Sequence, residues 1–477
     1  MAAPSSKLAA LQAVKGMNDL LPPESVRWEW FEAKVRALMA RYGYANVRTP
    51  IVEPTALFVR GLGEVTDIVE KEMYTFDDRG GESVTLRPEA TAGIVRACLS
   101  NGLLHNQRQR VWCMGPMFRY ERPQKGRYRQ FHQIDVEALG FPGPDVDAEL
   151  ILISARIWKR LGLRGLALKL NSLGTTESRR VYRERLVEYF GRHLDLLDDD
   201  SRRRLDGNPL RILDSKNPAM AEVIAGAPLL TDHLDDESAA HFAALRARLD
   251  EAGIGYVVSP RLVRGLDYYS RTVFEWVTTD LGSQDAVCSG GRYDGLVAQL
   301  GGEAVPAIGW ALGEERIVEL MRQQGLAGDS ASADVYVVLG GPAAEAAGLR
   351  IAEGLRDAIP GARIEMNGGG GSFKSQLKRA DRSGARVAVI VGDGELERGV
   401  AAVKPLREEA GQADVALGAL LVRHQVEQAD LQRTDVLPGS ARGVHHHDAL
   451  GLEGLSGGQV VWNANWHDKP LHGNSNG

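Results

Sequence analysis

A cluster of basic side chains lies in residues 119–129, the segment that joins two strand-like runs. It carries five arginines and lysines together with Pro123 and Gly126, a composition that predicts a hairpin with a long, positively charged loop. Arginine presents a planar fork of N–H donors that suits phosphate oxygens. Arg119 directly follows an apolar dipeptide, which would fix its position. The segment indicates a phosphate-binding loop, and a solvated charged loop is the alternative.

The strand-like run that follows, residues 131–139, has an unusual polar face. Side chains alternate along a strand, so Gln133, Asp135 and Glu137 fall on one face and mostly apolar residues on the other. Three polar groups flanked by apolar neighbours suggest the floor of a pocket. A sheet face exposed to solvent would give the same alternation, and the strand by itself does not decide between the two.

The elements that position these residues form two kinds of pattern. Residues 27–42 predict a helix with one apolar face. Strand-like runs follow at 45–49, 84–86, 111–114 and 129–139, which predicts an α+β domain on a mostly antiparallel sheet over residues 1–325. Within it, residues 172–250 are charged and helical in pattern, and they predict a solvated helical insertion.

After a segment rich in Gly, Ala and Ser, assigned as a linker at 326–333, three β-rich runs alternate with two helical patterns. This βαβαβ order predicts a small α/β domain at 334–423 with a parallel sheet. Residues 424–477 show little periodicity and are predicted to be a poorly ordered tail. Three adjacent histidines at 445–447 lack surrounding groups that would orient metal ligands, so no metal site is predicted there.

Composition limits the function classes. The 477 residues carry a net charge of -6, so a nucleic-acid partner would be held by local basic patches. Three scattered cysteines fit buried free thiols in a reducing cytoplasm. The sequence shows neither a signal-peptide pattern nor an apolar run long enough for a membrane span, and both observations predict a cytoplasmic protein without a membrane partner.

Six segments together resemble the class II aminoacyl-tRNA synthetases in their histidyl form. The basic hairpin resembles the second signature motif of that class. Residues 42–50 (YGYANVRTP) with Glu53 resemble the first motif, whose proline lies at a dimer interface, and 306–317 (PAIGWALGEERI) resemble the third. The other segments that match the histidyl pattern are 85–91 (TLRPEAT), 262–269 (LVRGLDYY) and 289–294 (SGGRYD). The resemblance runs from about Lys15 to Val422, with Trp310 and Glu314 departing from the pattern of the third motif.

The resemblance implies that ATP activates histidine and that histidine then passes to the 3′ end of its tRNA. Arg119 and Arg264 would hold the α-phosphate and the carboxylate as the catalytic cations. Arg127 and Arg316 would bind the outer phosphates and stack near adenine, with Glu121 also near the adenine and Mg²⁺ bridging the phosphates. No residue of the chain itself is implied as a metal ligand.

For the amino acid, the resemblance assigns the α-ammonium group to Glu89, Thr91 and Gln133. Glu137 and Tyr269 would address the two imidazole nitrogens. Two further tyrosines, Tyr268 and Tyr293, would line the pocket. Ordinary packing on a sheet is the alternative for each tyrosine, above all for Tyr268.

The implied partners are histidine-specific tRNA and a second copy of the chain in a homodimer. Arg122 and Gln124, at the hairpin tip, would read the acceptor end of the tRNA. Lys374, Lys378 and Arg382 recur every four residues and predict one basic helix face, which the family uses in the anticodon-binding domain. A solvated helix surface is the alternative.

Three other functions are weighed against this interpretation. A catalytically inactive synthetase paralogue that regulates histidine biosynthesis is the nearest. It is expected to lack the C-terminal α/β domain and the intact set of pocket residues. A class II synthetase for another amino acid would not need Glu137 with the 264–269 segment, and an RNA-binding protein without catalysis would leave the polar strand face unexplained.

Overall fold

The computed structural model describes residues 11–63, 66–215, 217–263, 266, 268–282, 285–326, 333–421, 451–452 and 462–463. The chain divides into two compact units, Met1–Asp329 and Ser330–Gly477. In the described part of the chain, no helix combines the length and the apolar character that crossing a membrane requires.

The first unit combines helices with two sheets. Its helices are α1 (Glu24–Tyr42), α2 (Thr55–Leu62), α3 (Thr91–Ser100), α4 (Pro144–Leu161), α5 (Thr176–Gly191), α6 (Asp199–Gly207), α7 (Ala221–Gly226), α8 (Asp236–Glu251), α9 (Leu296–Gln299) and α10 (Glu314–Gln323). Its strands are β1 (Ala45–Asn46), β2 (Val52–Pro54), β3 (Tyr74–Asp77), β4 (Ser83–Leu86), β5 (Gln109–Phe118), β6 (Gln130–Leu139), β7 (Ala167–Ser172), β8 (Val257–Val258), β9 (Ser270–Val277), β10 (Ala286–Arg292) and β11 (Ala307–Gly313). Single turns of other helix types lie at Ile68–Glu72, Leu194–Leu196, Pro209–Asp214, Pro218–Met220 and Leu230–His233.

The large sheet has eight strands in the order β1-β5-β6-β11-β10-β9-β7-β8. All pairings are antiparallel except the two outermost, β1 with β5 and β7 with β8. The predicted mostly antiparallel sheet is therefore confirmed. Its two central hairpin strands, β5 and β6, pair over their full length from Gln109 opposite Leu139 to Phe118 opposite Gln130.

Helix α1 packs on one face of this sheet through the apolar stripe that its sequence predicts. The buried residues recur at helical spacing and are Trp28, Phe31, Val35, Leu38 and Met39. The helix begins three residues before the predicted range, directly after Pro23, and it ends where Gly43 takes a left-handed conformation with φ of 71°. Strand β1 is shorter than the predicted 45–49, since only Ala45 and Asn46 pair with β5.

Between β7 and β8 the chain is helical, as the charged segment predicts. The three longest helices of this insertion, α5, α6 and α8, begin with the same local device. The side chains of Thr175, Asp198 and Asp235 each accept a hydrogen bond from the backbone N–H of a serine three residues later. These N-caps satisfy donors that the first turn of a helix leaves open, and they fix where the helices start.

A buried carboxylate on α4, that of Asp147, joins the end of the insertion to the sheet. Arg292 and Asp147 are both fully buried, and their closest nitrogen and oxygen lie 2.8 Å apart. The Asp147 carboxylate also accepts hydrogen bonds from Thr272 at 2.6 Å and, on α8, from the ring nitrogen of His241 at 2.8 Å. Burial would raise the pKa of Asp147, but these partners together hold it below its usual range.

The second unit contains a five-stranded sheet in the order β13-β12-β14-β15-β16, with strands β12 (Val335–Gly340), β13 (Ile364–Met366), β14 (Val387–Gly392), β15 (Val400–Pro405) and β16 (Ala413–Ala416). Its helices are α11 (Pro342–Ala358), α12 (Phe373–Arg382), α13 (Asp393–Glu397) and α14 (Leu417–Leu421). The first three strands are parallel, as the βαβαβ pattern predicts. The last two are antiparallel and were not predicted.

Most of the predicted tail lies outside the described residues. The two pieces of it that are described form a short antiparallel pair, β17 (Gly451–Leu452) with β18 (Trp462–Asn463). The three histidines at 445–447 also lie outside the described residues.

Candidate active site

The large sheet of the first unit carries a solvent-open cavity of about 1130 Å³. Its walls come from β6, β9, β10, β11 and the hairpin loop between β5 and β6. It brings together predicted site residues that are far apart in sequence, namely Glu89, Thr91, Arg119, Glu121, Arg127, Gln133, Tyr268, Tyr269, Tyr293 and Arg316.

Strand β6 supplies the floor, which is one of the two alternatives that its polar face left open. Gln133 and Asp135 line the cavity, and Glu137 lies deeper, with 1% of its surface exposed. The amide oxygen of Gln133 and one oxygen of Asp135 are buried without a hydrogen-bond partner among the described residues. Unsatisfied buried acceptors carry a free-energy cost, and a ligand with N–H donors would remove it.

Glu137 is held by two hydroxyl donors. Thr91, at the start of α3, donates to one carboxylate oxygen at 2.7 Å, and Tyr293, just after β10, donates to the other at 2.5 Å. Burial raises the pKa of Glu137 to about 8, although the two hydrogen bonds favour the charged form. The carboxyl therefore changes its protonation state near neutral pH.

Room for Glu137 comes from a glycine on the neighbouring strand. Gly309 on β11 lies directly opposite Glu137 in the antiparallel register. A Cβ atom at Gly309 would overlap the carboxylate of Glu137 and crowd the backbone oxygen of Val136. Because Gly309 has no side chain, the carboxyl group of Glu137 can occupy the space beside it.

Glu89 lies at the start of α3, near the arginine side of the cavity. Its carboxylate accepts hydrogen bonds from the backbone N–H groups of Thr91 and Ala92, both at 2.9 Å. Burial raises its pKa, and these bonds together with the positive charge of Arg119 oppose that shift. Arg119 donates through Nε to the carbonyl of Pro88 at 2.8 Å, so the arginine and the acid are fixed side by side.

Three arginines converge on the opposite part of the cavity. Burial lowers the pKa of Arg316, and the like charges of Arg127 and Arg119 lower it further. Arg316 is positioned by two backbone carbonyls, donating to Ala286 at 2.5 Å and to Gly126 at 3.2 Å. Like charges held together by the fold mark a binding place for an anion such as a polyphosphate.

Arg127 is paired with acids. It makes an ion pair with Glu121 and lies 3.8 Å from Glu72. The backbone of Arg127 pairs with that of Gln124, which shapes the tip of the hairpin loop. A phosphate that enters the cavity can therefore replace these carboxylates as the partner of Arg127, whose side chain they already orient.

The three tyrosines form one aromatic wall. The ring centroids of Tyr268 and Tyr269 lie 4.7 Å apart, and those of Tyr268 and Tyr293 lie 5.5 Å apart in an edge-to-face arrangement. All three line the cavity and are at most 6% exposed. Tyr268 therefore faces the cavity as well as packing on its neighbours.

Other predicted residues lie elsewhere. Arg122 and Gln124 are exposed at the hairpin tip, where the sequence predicts them. Lys374, Lys378 and Arg382 are exposed on one face of α12 in the second unit, opposite its buried residues. Arg264 lies outside the described residues. In the part of the chain that is described, no group of three or more His, Cys, Asp or Glu side chains could hold a metal ion.

Three residues in or near the cavity were not predicted from the sequence. The ring of Phe131 lies under the guanidinium group of Arg119, 5.2 Å from its carbon, and extends the cavity wall. Glu72 faces both Arg119 and Arg127, and its charge raises the pKa of Arg119 against the effect of burial. Phe131 could have been suspected because it opens the polar strand, but Glu72 and Gly309 carry no local signal.

Comparison with known families agrees with this geometry. A family model described as histidyl-tRNA synthetase matches residues 16–178 and 210–317. The chain belongs to the histidyl-tRNA synthetase family. A second model, described as an anticodon binding domain, matches residues 334–422. The predicted family and its fold class are confirmed.

Individual relatives cover most of the chain. A histidine–tRNA ligase of Halorhodospira halophila is 57% identical over 407 residues, which is 85% of this chain and 96% of the relative. A histidine–tRNA ligase of Nitrosomonas europaea is also 57% identical, over 85% of this chain and 97% of its own length. The crystal structure of apo histidyl-tRNA synthetase of S. aureus matches with a TM-score of 0.72 at 35% identity, covering 86% of this chain and 99% of that one.

The requirement for glycine at position 309 can be tested by an alanine substitution, with another glycine of the same strand as the control. We expect Gly309→Ala to lower the free energy of unfolding by about 1–3 kcal/mol, because the added methyl must displace a buried carboxyl group. Gly313→Ala, whose Cβ would approach Arg316 at an ordinary 3.8 Å, should change it by less than about 1 kcal/mol. Urea unfolding measures both, and equal losses would contradict the role assigned to Gly309.

The raised pKa of Glu137 predicts a pH effect on stability. The pKa of Glu137 is about 8 in the folded state against an ordinary value of 4.5. Between pH 4.5 and pH 8 the folded protein therefore binds a proton at Glu137 that the unfolded chain has lost. Stability should therefore fall as pH rises through this interval, and the Glu137 contribution should be absent in Glu137→Gln. We expect a flatter dependence of melting temperature on pH in the variant. The same slope in both proteins would mean that Glu137 ionises normally.

Proposed function

We propose that the protein activates L-histidine with ATP, releasing pyrophosphate, and then transfers the histidyl group to the 3′ end of its tRNA. As a member of the synthetase family the chain uses ATP, histidine and tRNA as substrates. One observation carries the assignment to the cavity: Thr91 and Tyr293, which hold a buried carboxyl, line it together with three converging arginines. An amino acid with a polar side chain and a polyphosphate fit these two parts.

Histidine would be read at the Glu137 end. Its imidazole N–H can donate to Glu137, and Tyr269 can address the other ring nitrogen. The α-ammonium group would donate hydrogen bonds to Glu89, Thr91 and Gln133. The amide oxygen of Gln133 is buried without a hydrogen-bond partner among the described residues. An amino acid without the imidazole would leave the buried carboxyl without its N–H donor, and such losses discriminate strongly between substrates. The rings of Tyr268 and Tyr293 would enclose the side chain.

ATP would occupy the arginine end as its magnesium complex. Arg119 would hold the α-phosphate and the histidine carboxylate, with Arg264 as the second catalytic cation. Both would neutralise charge that develops as the carboxylate attacks the phosphorus and pyrophosphate departs. Arg127 and Arg316 would bind the outer phosphates, with Glu121 near the adenine. Mg²⁺ in this role is held mainly by phosphate oxygens and water, and needs few protein ligands.

The tRNA would be contacted at two places. Arg122 and Gln124, exposed at the hairpin tip, lie beside the cavity and would read base edges at the acceptor end. The exposed basic face of α12 with Lys374, Lys378 and Arg382 would contact phosphates near the anticodon. The match of residues 334–422 to an anticodon-binding family supports that second place.

The proposed domain boundaries follow the predicted ones. Residues 1–325 would carry both chemical steps, with the insertion at 172–250; 326–333 would be the linker, 334–423 the anticodon-binding domain and 424–477 an accessory tail. The two compact units of the fold support a division in this region.

We also propose a homodimer in the cytoplasm. Near the first motif, the apolar side chains of Ile51, Val52 and Phe76 keep 42%, 42% and 48% of their surfaces exposed. Apolar surface of this kind is typical of a protein–protein interface. The three cysteines are free and buried, which supports a reducing compartment.

An inactive regulatory paralogue is not favoured. The described cavity keeps its acids, its tyrosines and three of its arginines, and the second unit matches an anticodon-binding family. The relatives at 57% identity are named as ligases over most of this chain.

Substitutions of two arginines of the hairpin can distinguish the activation step from the transfer step. Arg119→Gln should abolish histidine-dependent ATP–pyrophosphate exchange, because it removes the cation at the α-phosphate. Arg122→Ala, in the same hairpin but exposed, should keep exchange and slow tRNA charging by roughly 10-fold or more, since one base-edge contact contributes about 1–3 kcal/mol. Melting temperatures control for folding. Normal exchange by Arg119→Gln would contradict the proposed site.

A further inference from the structure

The segment that precedes α1 lies against the basic hairpin. Residues 14–20, here called the strap, contain one turn, in which the N–H of Met17 donates to the carbonyl of Val14 at 2.8 Å. No residue of the strap belongs to the apolar cores of the described first unit, and Leu20 keeps 40% of its surface exposed. The position of the strap therefore depends on its backbone contacts with neighbouring elements.

Gly16 makes those contacts. Its carbonyl accepts hydrogen bonds from the backbone N–H groups of Arg129 at 2.8 Å and Gln130 at 3.2 Å. The carbonyl of Arg129 in turn accepts a hydrogen bond from the N–H of Arg119 at 2.9 Å. A single residue of the returning arm thus joins the strap to Arg119, the arginine assigned to the α-phosphate.

Two features of position 16 call for glycine. Gly16 has a φ of 84°, which lies in the left-handed region. A Cβ atom there would approach Cγ of Pro123 to 2.9 Å and Cγ of Arg129 to 3.0 Å, closer than side chains ordinarily come. Pro123 lies on the outgoing arm of the hairpin and Arg129 on the returning arm, so the strap touches both arms.

The hairpin loop is attached on its other side to α10. Lys125 makes an ion pair with Glu319 at 2.6 Å, and the carbonyl of Gly126 accepts a hydrogen bond from Arg316 at 3.2 Å. The Lys125 side chain is 63% exposed, and exposed ion pairs contribute little to stability. A cavity of about 720 Å³ is walled by the strap, the start of α1, the loop and α10. The loop spans this open space, so its position depends on its attachments at both sides.

We propose that the strap, through Gly16, is a positioning element for the activation step, because it fixes the hairpin where Arg119 and Arg127 must meet the phosphates of ATP. This inference rests on the proposed function. Cations that are already in place need no reorganisation when charge develops in the reaction. A displacement of a reacting or binding group by about 1 Å can cost roughly 100-fold in rate.

The test compares two glycine substitutions in the full-length protein. Gly16→Ala adds a methyl group that must push against the hairpin. Gly81→Ala is the control: Gly81, in the turn between β3 and β4, has a φ of 83°, and a Cβ atom there meets nothing within 4 Å. Both substitutions impose nearly the same backbone strain, so a difference between them reports the contact with the hairpin.

We expect Gly16→Ala to lower kcat/KM for ATP in histidine-dependent pyrophosphate exchange by roughly tenfold or more relative to Gly81→Ala. The KM for histidine should stay within about twofold, because the groups that hold Glu137 lie on α3 and after β10. An equal rise in both KM values would mean a general distortion of the cavity and would overturn this inference.

The wild-type protein separates the two claims. A wild type without exchange would overturn the proposed function and this inference with it. Normal exchange by the wild type, with the same constants in Gly16→Ala and Gly81→Ala, would overturn this inference alone. Melting temperatures of both variants show whether a loss of activity follows from a loss of stability.

A double variant tests the contact itself. Alanine at position 123 lacks the Cγ atom that the new methyl group would meet. Gly16→Ala/Pro123→Ala should therefore lose less kcat/KM for ATP than the product of the two single losses. A loss equal to that product would mean that the two positions act independently, and it would contradict a strap that works through the hairpin.

Discussion

Burial of the Glu137 carboxyl constrains much of the surrounding structure. A carboxyl removed from water needs donors and space, and each is supplied by a different element: Thr91 by α3, Tyr293 by the end of β10, and the gap at Gly309 by β11. A shift of β6 by one residue would move the acid to the other sheet face. The long hairpin pairing and the central place of β6 in the sheet therefore protect the position of one side chain.

Acids lie in both parts of the catalytic cavity, but its arginines gather in one. Acids with raised pKa values gather at the end formed by α3 and β6, and the arginines gather where the hairpin loop meets β11 and α10. Arg119 lies between the groups, since Glu89 and Glu72 raise its pKa while burial lowers it. An amino acid carries an ammonium group and a carboxylate, and the arginines would orient it with the carboxylate towards the phosphates.

Local patterns were sufficient for much of the fold. Alternation in 131–139 predicted that Gln133, Asp135 and Glu137 share one face of a strand, and helical spacing in 27–42 predicted the buried face of α1. Contacts that depend on the register between strands could not be predicted from local sequence patterns. Gly309 opposes Glu137 only because β11 pairs with β6. The predicted strand at 45–49 ends after Asn46, and the carbonyl of Thr49 accepts a hydrogen bond from the side chain of Arg87 at 3.1 Å. The roles of individual site residues came from a family resemblance, and they stay predictions.

The most direct test of a histidine-activating cavity is ATP–pyrophosphate exchange by the full-length protein, with each amino acid offered separately. The buried carboxyl and its two hydroxyl partners predict exchange with histidine and none above background with glutamine or asparagine, which cannot present an imidazole. Exchange with several amino acids, or with none in a folded protein, would contradict the account of Glu137 as the group that selects the substrate.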